Sequence, residues 1–386
     1  MDYSTLFSDD VASFMPSPAR EIFKKVDLNS IYSLAGGYPD SATFPTDILK
    51  DLFSRVMDKY GAKALQYGGT QGVPELRKAV AERYSVNEEN VLISTSSQQG
   101  IDVSARILLN PGDVVLTVDP TYLGALQSFK SYRAEIVSVQ GLKDGMTGVD
   151  VSILKRAKLF YIISDFQNPS GKTLSLEERM DLIGLSKKYG FLILEDGPYR
   201  ELRYSGQTLP TIYSLAPERT IHLGSFSKIF APGLRLGWIL APQEVLHQIY
   251  VCKQALDLCP PILNQYMAAE FLESGELDRN LEKSIALYRD KRDFMLSLLE
   301  KYMPQGVSWT RPEGGLFLFL TLPQELDCVQ MYDKALDAGV AYVAGSFFYA
   351  DGSHRNTMRL NFSFMNKPRM EQGVKILSEV IRSYLG

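Results

Sequence analysis

The chain predicts an α/β fold in which a mostly parallel sheet is sandwiched by helices in a large domain, with a smaller α+β domain beside it. Three observations carry this. First, the runs Val114-Val-Leu-Thr-Val118, Leu159-Phe-Tyr-Ile-Ile163, Phe191-Leu-Ile-Leu194 and Thr220-Ile-His-Leu-Gly224 are short and apolar enough for buried strands. They lack the alternation of a half-wet strand, so they read as strands buried on both faces. Second, helical stretches separate these runs, which is the βαβ rhythm of a parallel sheet. Third, the pattern changes near Pro260, where a long helical stretch (Ile262 to Tyr302) leads into a different strand style. We therefore expect an N-terminal segment over 1–45, a large domain over 46–270, and an interdomain helix with a small C-terminal domain over 271–386.

Composition bounds the rest. The chain has 386 residues, too many for one ordinary core. Its 45% hydrophobic and 22% charged content describes a soluble globular protein. A formal net charge of −4 offers no basic field for nucleic acid. No apolar run is long enough to span a bilayer, and Met1-Asp-Tyr-Ser-Thr lacks the basic start of a signal peptide, so a cytoplasmic protein with no membrane partner is expected. Cys252, Cys259 and Cys328 fit no zinc spacing, and His222, His247 and His354 are isolated, so no metal site is expected.

In chain order, Ser17-Pro18 makes an N-cap and N1 pair that starts a helix carrying Arg20. Ile31 to Pro39 is a short strand breaking at Gly36-Gly37, followed by a helix from Asp47 to Tyr60 and a glycine-rich loop from Leu65 to Gly72. Pro74 opens a helix through Tyr84. Val91-Leu-Ile93 is a buried strand, Ser94 to Gly100 a polar turn, and Ile101 to Leu109 a helix. Small polar residues at such a helix start can cradle an anion, although an ordinary N-cap looks the same. Ala134 to Val139 is another strand, and a helix runs from about Ser175 to Tyr189. Leu236 to Ala241 is a further strand. Gly315 to Leu320 and Met358 to Phe362 are strands of the second domain, closed by a helix from about Lys367.

Tyr122, Asn168, Asp196 and Lys228 all fall just after a strand, where open α/β sheets bind ligands. Lys228 is the centre of Ser225-Phe-Ser-Lys-Ile-Phe-Ala-Pro-Gly-Leu-Arg-Leu-Gly237. A lysine in a turn between two buried strands must be held by neighbours or lose its charge. Burial and nearby cations lower an ammonium pKa and make the amine a nucleophile toward a carbonyl. Ser225, Ser227 and Arg235 supply donors suited to a phosphate. Together they suggest pyridoxal 5'-phosphate (PLP) held on Lys228 as a Schiff base. That cofactor needs a carboxylate to hold its pyridine nitrogen protonated, and Asp196 suits this. Asn168 and Tyr199 can reach its phenolic oxygen, Tyr122 can stack on its ring, and Ser97 and Gln98 add phosphate donors. Arg359 is suited to a substrate α-carboxylate. Each residue alone has a plain structural reading, as a cap, a surface cation or a core aromatic. It is their order along one chain that favours chemistry.

On Asn168-Pro-Ser-Gly171, Asp196-Gly-Pro-Tyr199, Ser225 to Lys228, Arg235-Leu-Gly237 and Arg359, the chain resembles the fold-type I PLP-dependent aminotransferases of class I/II. The resemblance runs from about Ser13 to the C-terminus. Pro16-Ser-Pro-Ala-Arg20, Leu34-Ala-Gly-Gly37 and Ser97-Gln-Gln-Gly100 make it most similar to the 2-aminoadipate and kynurenine aminotransferase branch. It implies transamination between an L-amino acid and 2-oxoglutarate, and a homodimer with active sites at the subunit interface. It further implies that Tyr67 reaches the partner's phosphate and that Arg20 meets a distal substrate carboxylate. Tyr38 departs from the leucine common after the glycine pair, which changes the pocket at Gly37-Tyr38. A PLP-dependent β-lyase or decarboxylase, and a non-enzymatic PLP-binding module, remain alternative readings of the same residues.

Overall fold

Strands rich in Val, Ile, Leu and Phe on both faces have nowhere to go but the interior, and here they assemble edge to edge. The computed structural model describes residues 3–8, 11, 30–139, 141, 142, 146 and 149–385. The helix expected from Ser17-Pro18, and Arg20 with it, lie outside the described residues.

The strands are β1 (Tyr32–Ser33), β2 (Val91–Ser94), β3 (Val114–Val118), β4 (Glu135–Val139), β5 (Ala157–Ile162), β6 (Leu192–Asp196), β7 (Thr220–Ser225), β8 (Gly237–Leu240), β9 (Ser308–Trp309), β10 (Phe317–Thr321), β11 (Val340–Ala341), β12 (Val343–Ala344) and β13 (Thr357–Asn361). A seven-stranded sheet runs in the order β2-β8-β7-β6-β5-β3-β4. Its pairs are parallel from β4 through β3, β5 and β6 to β7, while β8 is antiparallel to both β7 and β2. Successive residues of a strand face opposite sides. Accordingly Leu159 and Tyr161 of β5 join the core that includes Ile101 and Val103 of the helix Ser96–Leu108, whereas Phe160 and Ile162 join the core that includes Leu182 and Leu185 of the helix Leu176–Tyr189. The strand order reverses between β3 and β5, which makes the crevice beyond their carboxyl ends the place for a ligand.

A second, antiparallel sheet has the order β12-β13-β10-β9, and β1 pairs parallel with β11, tying the segment before residue 45 to the C-terminal part. The long helix Glu276–Tyr302 packs on the C-terminal helix Lys367–Leu385.

Three details differ from the sequence expectation. The helix after β2 starts at Ser96 rather than Ile101, because polar residues satisfy its first turn, with Gln99 Oε1 accepting from the Thr95 N–H at 2.8 Å. The helical stretch from Ile262 to Tyr302 is two helices, Ile262–Glu273 and Glu276–Tyr302, broken at Gly275, which takes a left-handed φ of +71°. A helix Gln243–Leu256, unmarked in the sequence reading, buries Leu246, Ile249 and Lys253.

Candidate active site

Every parallel strand ends in a loop at the same edge of the sheet, so residues far apart in sequence meet there. Around one cavity of 360 Å³ stand Gly37, Tyr38, Ser97, Gln98, Tyr122, Asn168, Asp196, Tyr199, Ser225, Ser227, Lys228, Arg235 and Arg359, all singled out from sequence. Two of the expected site residues are not brought to it. Tyr67 is 80% exposed and absent from the lining, and Arg20 lies outside the described residues. A larger cavity of 640 Å³ is lined by Arg83, Arg200 and Arg203, but these are already engaged by Glu201, Asp165 and Glu313.

The polypeptide leaves β7 through two tight turns, Phe226–Lys228 and Pro232–Leu234, the first capped by Ser225 Oγ accepting from the Ser227 N–H at 3.1 Å. This places Lys228 Nζ 2.8 Å from the Gly37 carbonyl oxygen, to which it donates. Burial, aided by the positive charges of Arg359 and Arg235, lowers the Lys228 ammonium to about 8.

Asp196 ends β6 and is 1% exposed. Its Oδ2 accepts from the Tyr161 hydroxyl at 2.9 Å, while Oδ1 is buried without a hydrogen-bond partner. Burial lifts the carboxyl to about 7, with the Tyr161 and Ser97 hydroxyls acting in the opposite direction. Tyr199 and Asn168 are also buried, and burial keeps the Tyr199 phenol well above its ordinary value, so it remains a protonated donor.

A ring of hydroxyls faces the start of the helix Ser96–Leu108. Ser96 Oγ lies 3.4 Å from both Ser225 Oγ and Ser227 Oγ. Ser96 itself holds a left-handed φ of +68°. Gly237 makes this closeness possible: a Cβ there would sit 2.6 Å from the Gly224 carbonyl oxygen and 2.9 Å from the Ser96 backbone. The helix start is also tied from behind. Asp257 Oδ2 accepts from Thr95 Oγ1 and Gln99 Nε2 at 3.0 and 2.8 Å, and Lys253 neutralises its other oxygen at 2.7 Å.

Tyr122 opens the helix Leu123–Ser131 and donates its hydroxyl to Gln98 Oε1 at 3.1 Å. Its ring folds back onto Gly124, where a Cβ would meet ring carbons at 2.6 Å. Arg359, on β13, is 4% exposed and donates to Asn168 Oδ1 at 2.8 Å and to the Ala35 carbonyl at 2.5 Å, with the Phe317 ring 4.3 Å below its guanidinium carbon. Its Nε is buried and unpartnered. Burial lowers even this guanidinium, to about 10.

These residues fit PLP. The orphaned Asp196 Oδ1 is what a protonated pyridine nitrogen needs, and the hydroxyls at a helix N-terminus are what a phosphate needs. The lowered amine of Lys228 suits an aldehyde. Among the described residues, no cluster of His, Cys, Asp or Glu could hold a metal ion, and no helix is long and apolar enough to cross a membrane. The sequence reading missed Ser96, Tyr161, Asp257 and Phe317. Of these only Ser96 carried a signal, as part of a small polar run before a helix.

Comparison with known proteins agrees with this geometry. The family described as "Aminotransferase class I and II" matches residues 36–377. The chain is 41% identical to aromatic-amino-acid aminotransferase 1 of Thermococcus litoralis, over 99% of this chain and 95% of that one. A Pyrococcus horikoshii kynurenine aminotransferase, solved with pyridoxamine phosphate (PMP), superposes with a TM-score of 0.93 at 39% identity, covering 100% of this chain and 99% of that one. An alpha-aminoadipate aminotransferase of Thermus thermophilus, complexed with N-(5'-phosphopyridoxyl)-L-leucine, superposes with a TM-score of 0.92 at 34% identity and the same coverage. A chain with this cavity, matched over nearly its whole length by aminotransferases, two of them solved with PLP-derived groups, belongs to the class I and II aminotransferases and transaminates amino acids with PLP.

Proposed function

We propose that Lys228, Asp196 and Arg359 are the working centre of this aminotransferase, and the observation that carries the assignment is their convergence on one cavity from the turn after β7, the end of β6 and β13. When bound, PLP supplies an electron sink for the pair left behind as a substrate Cα loses its proton. The chain's own residues do the rest. Arg359, buried and clamped by Asn168 and the Ala35 carbonyl, keeps an unpartnered Nε and holds the substrate α-carboxylate. That pairing also orients the Cα–H toward Lys228 Nζ. Lys228, lowered to about 8 by burial, is partly neutral near neutral pH and carries the Cα proton away and back. With PLP bound, Asp196 Oδ1 would hold the pyridine nitrogen protonated, Tyr122 would offer its ring to the cofactor's face, and Asn168 and Tyr199 would donate to the phenolic oxygen. Ser97, Gln98, Ser225, Ser227 and Arg235 would hold the phosphate.

The same assignment extends to the substrate. Tyr38 stands at the mouth of the cavity 5.9 Å from the Phe364 ring, and Phe317 lines its wall, so aromatic side chains have apolar surfaces to meet. The relatives above are named for aromatic amino acids, kynurenine and alpha-aminoadipate. We infer that the donors are aromatic or long aliphatic amino acids together with 2-aminoadipate and glutamate, and that 2-oxoglutarate is the acceptor. Arg20 is the cation for a distal carboxylate, since a buried carboxylate without one is strongly disfavoured. The working unit is a homodimer in the cytoplasm, with Tyr67 completing the partner's phosphate site. The β-lyase, decarboxylase and binding-module readings are not favoured by the family.

A panel of kcat/KM values over acidic, aromatic and aliphatic donors, for wild type and Arg20→Ala, tests the substrate assignment. Selective loss on acidic donors, by roughly 2–5 kcal/mol for a buried pair, is expected. An equal loss on every donor would remove Arg20 from substrate choice.

A further inference from the structure

A buried carboxylate that must hold a ligand's N–H has two oxygens and free rotation about its last bond. Unless something holds one oxygen, the other has no fixed direction. The carboxyl of Asp196 is held in this way by the Tyr161 hydroxyl.

We infer that Tyr161 is a positioning residue for the cofactor: its hydroxyl engages Asp196 Oδ2 and so presents Oδ1, ionised and correctly aimed, to the pyridine nitrogen. The inference deepens the assignment of Asp196 above and rests on it. Tyr161 lies on β5 and Asp196 on the neighbouring β6, with Tyr161 in register with Leu194. Residues two apart on a strand share a face, so Tyr161 and Asp196 point the same way, and the long phenol spans the offset to reach the carboxylate at 2.9 Å. The tyrosine has no freedom to leave. It is fully buried, and Phe129 meets its ring edge-on with centroids 5.7 Å apart. Its phenol is raised well above the ordinary value by burial and by the charge of Asp196, so it stays a donor across the working pH range.

The same bond bears on charge. Burial favours the neutral form of Asp196, and a neutral acid attracts a pyridinium far less than a carboxylate does. The groups that bear on this carboxyl are the Tyr161 hydroxyl from β5 and the Ser97 hydroxyl from the following helix, with Tyr122 and Tyr199 close to the same network. Tyr161 and Ser97 both favour the ionised form, and Tyr161 is the one bonded to Oδ2. A hydrogen bond to an ionised group is among the stronger ones a protein makes.

The test is PLP affinity, measured by equilibrium dialysis of cofactor-free protein, together with the pH dependence of the bound cofactor's absorbance. Variants are Tyr161→Phe, Tyr161→Gln, Asp196→Asn and the double variant Tyr161→Phe/Asp196→Asn. Tyr161→Phe keeps the ring and its packing, and affinity is expected to fall roughly 10-fold or more, in proportion to a lost bond to a charge. Its absorbance midpoint should shift with it. Tyr161→Gln restores a donor and should recover part of the loss. In the Asp196→Asn background the Tyr161→Phe effect should largely vanish, because the group it acts through is gone. An unchanged affinity and midpoint in Tyr161→Phe, or an effect that simply adds to that of Asp196→Asn, would overturn the inference. If Tyr161→Phe fails to fold, Tyr161→Gln decides: wild-type-like affinity there supports donation as the requirement, and loss equal to Asp196→Asn refutes it. Should Asp196→Asn itself bind PLP with unchanged affinity and spectrum, the Asp196 assignment fails instead, and the two failures are told apart.

Discussion

Lys228 must be neutral to attack an aldehyde, and its surroundings set how often it is. An unperturbed lysine near 10.5 is neutral in roughly one molecule in a thousand at about pH 7.5. With the value of about 8 that burial and two nearby arginines impose, roughly a quarter of the molecules are neutral. The gain is thus roughly 200-fold in reactive amine. In cofactor-free protein the initial rate of PLP attachment, trapped with borohydride and read as labelled Lys228 peptide by mass spectrometry, should rise with pH through a midpoint near 8. Arg359→Gln removes one of the cations and should move that midpoint upward. It should still stop short of 10.5, because burial is the larger cause. A wild-type midpoint near 10.5, or one that ignores Arg359→Gln, would refute the argument that the cavity tunes this amine.

Two further predictions concern parts of the molecule beyond the cavity. Glu195, on the sheet face opposite Asp196, accepts from Ser164, from the N–H groups of Ile212 and Tyr213, and pairs with buried His222 at 3.0 Å. Glu195→Ala should lower stability by about 3–5 kcal/mol in denaturant titrations, since it leaves buried partners without an acceptor. Burial pushes this carboxyl up, but the His222 and Ser164 contacts outweigh it and leave the group at about 2. Its folded value lies below the unfolded 4.5, so its stabilisation is complete above about 4.5 and is lost as pH falls through about 2. Glu195→Gln should flatten that part of the acid-unfolding profile, and an unchanged profile would count against the pair. For Tyr67, PLP affinity should drop in Tyr67→Ala and be restored at half the sites when that protein is mixed with Lys228→Ala subunits. Mixing that restores nothing would mean Tyr67 does not serve a partner's site.

Much of this protein was determined locally. The apolar runs of β3, β5, β6 and β7 could only be buried strands, and the helices between them forced parallel pairing, so the edge where Tyr122, Asn168, Asp196 and Lys228 collect was legible before any coordinate. Short motifs around Lys228 and Asp196 carry their chemistry in neighbouring residues, and periodicity or spacing can register that. The rest depended on contacts that leave no local trace. Arg359 is held by a carbonyl 324 positions away, Lys228 by one 191 positions away, and the phenol behind Asp196 comes from another strand across a crossover. Nothing in the run Leu159-Phe-Tyr-Ile-Ile163 marks Tyr161 as different from a core aromatic, because its role exists only once β5 and β6 lie side by side. The left-handed Ser96 and the close approach of Gly237 are likewise products of two strands converging on one helix start. Sequence patterns report which face of an element is buried; which atoms then meet across that buried face is set by the packing alone.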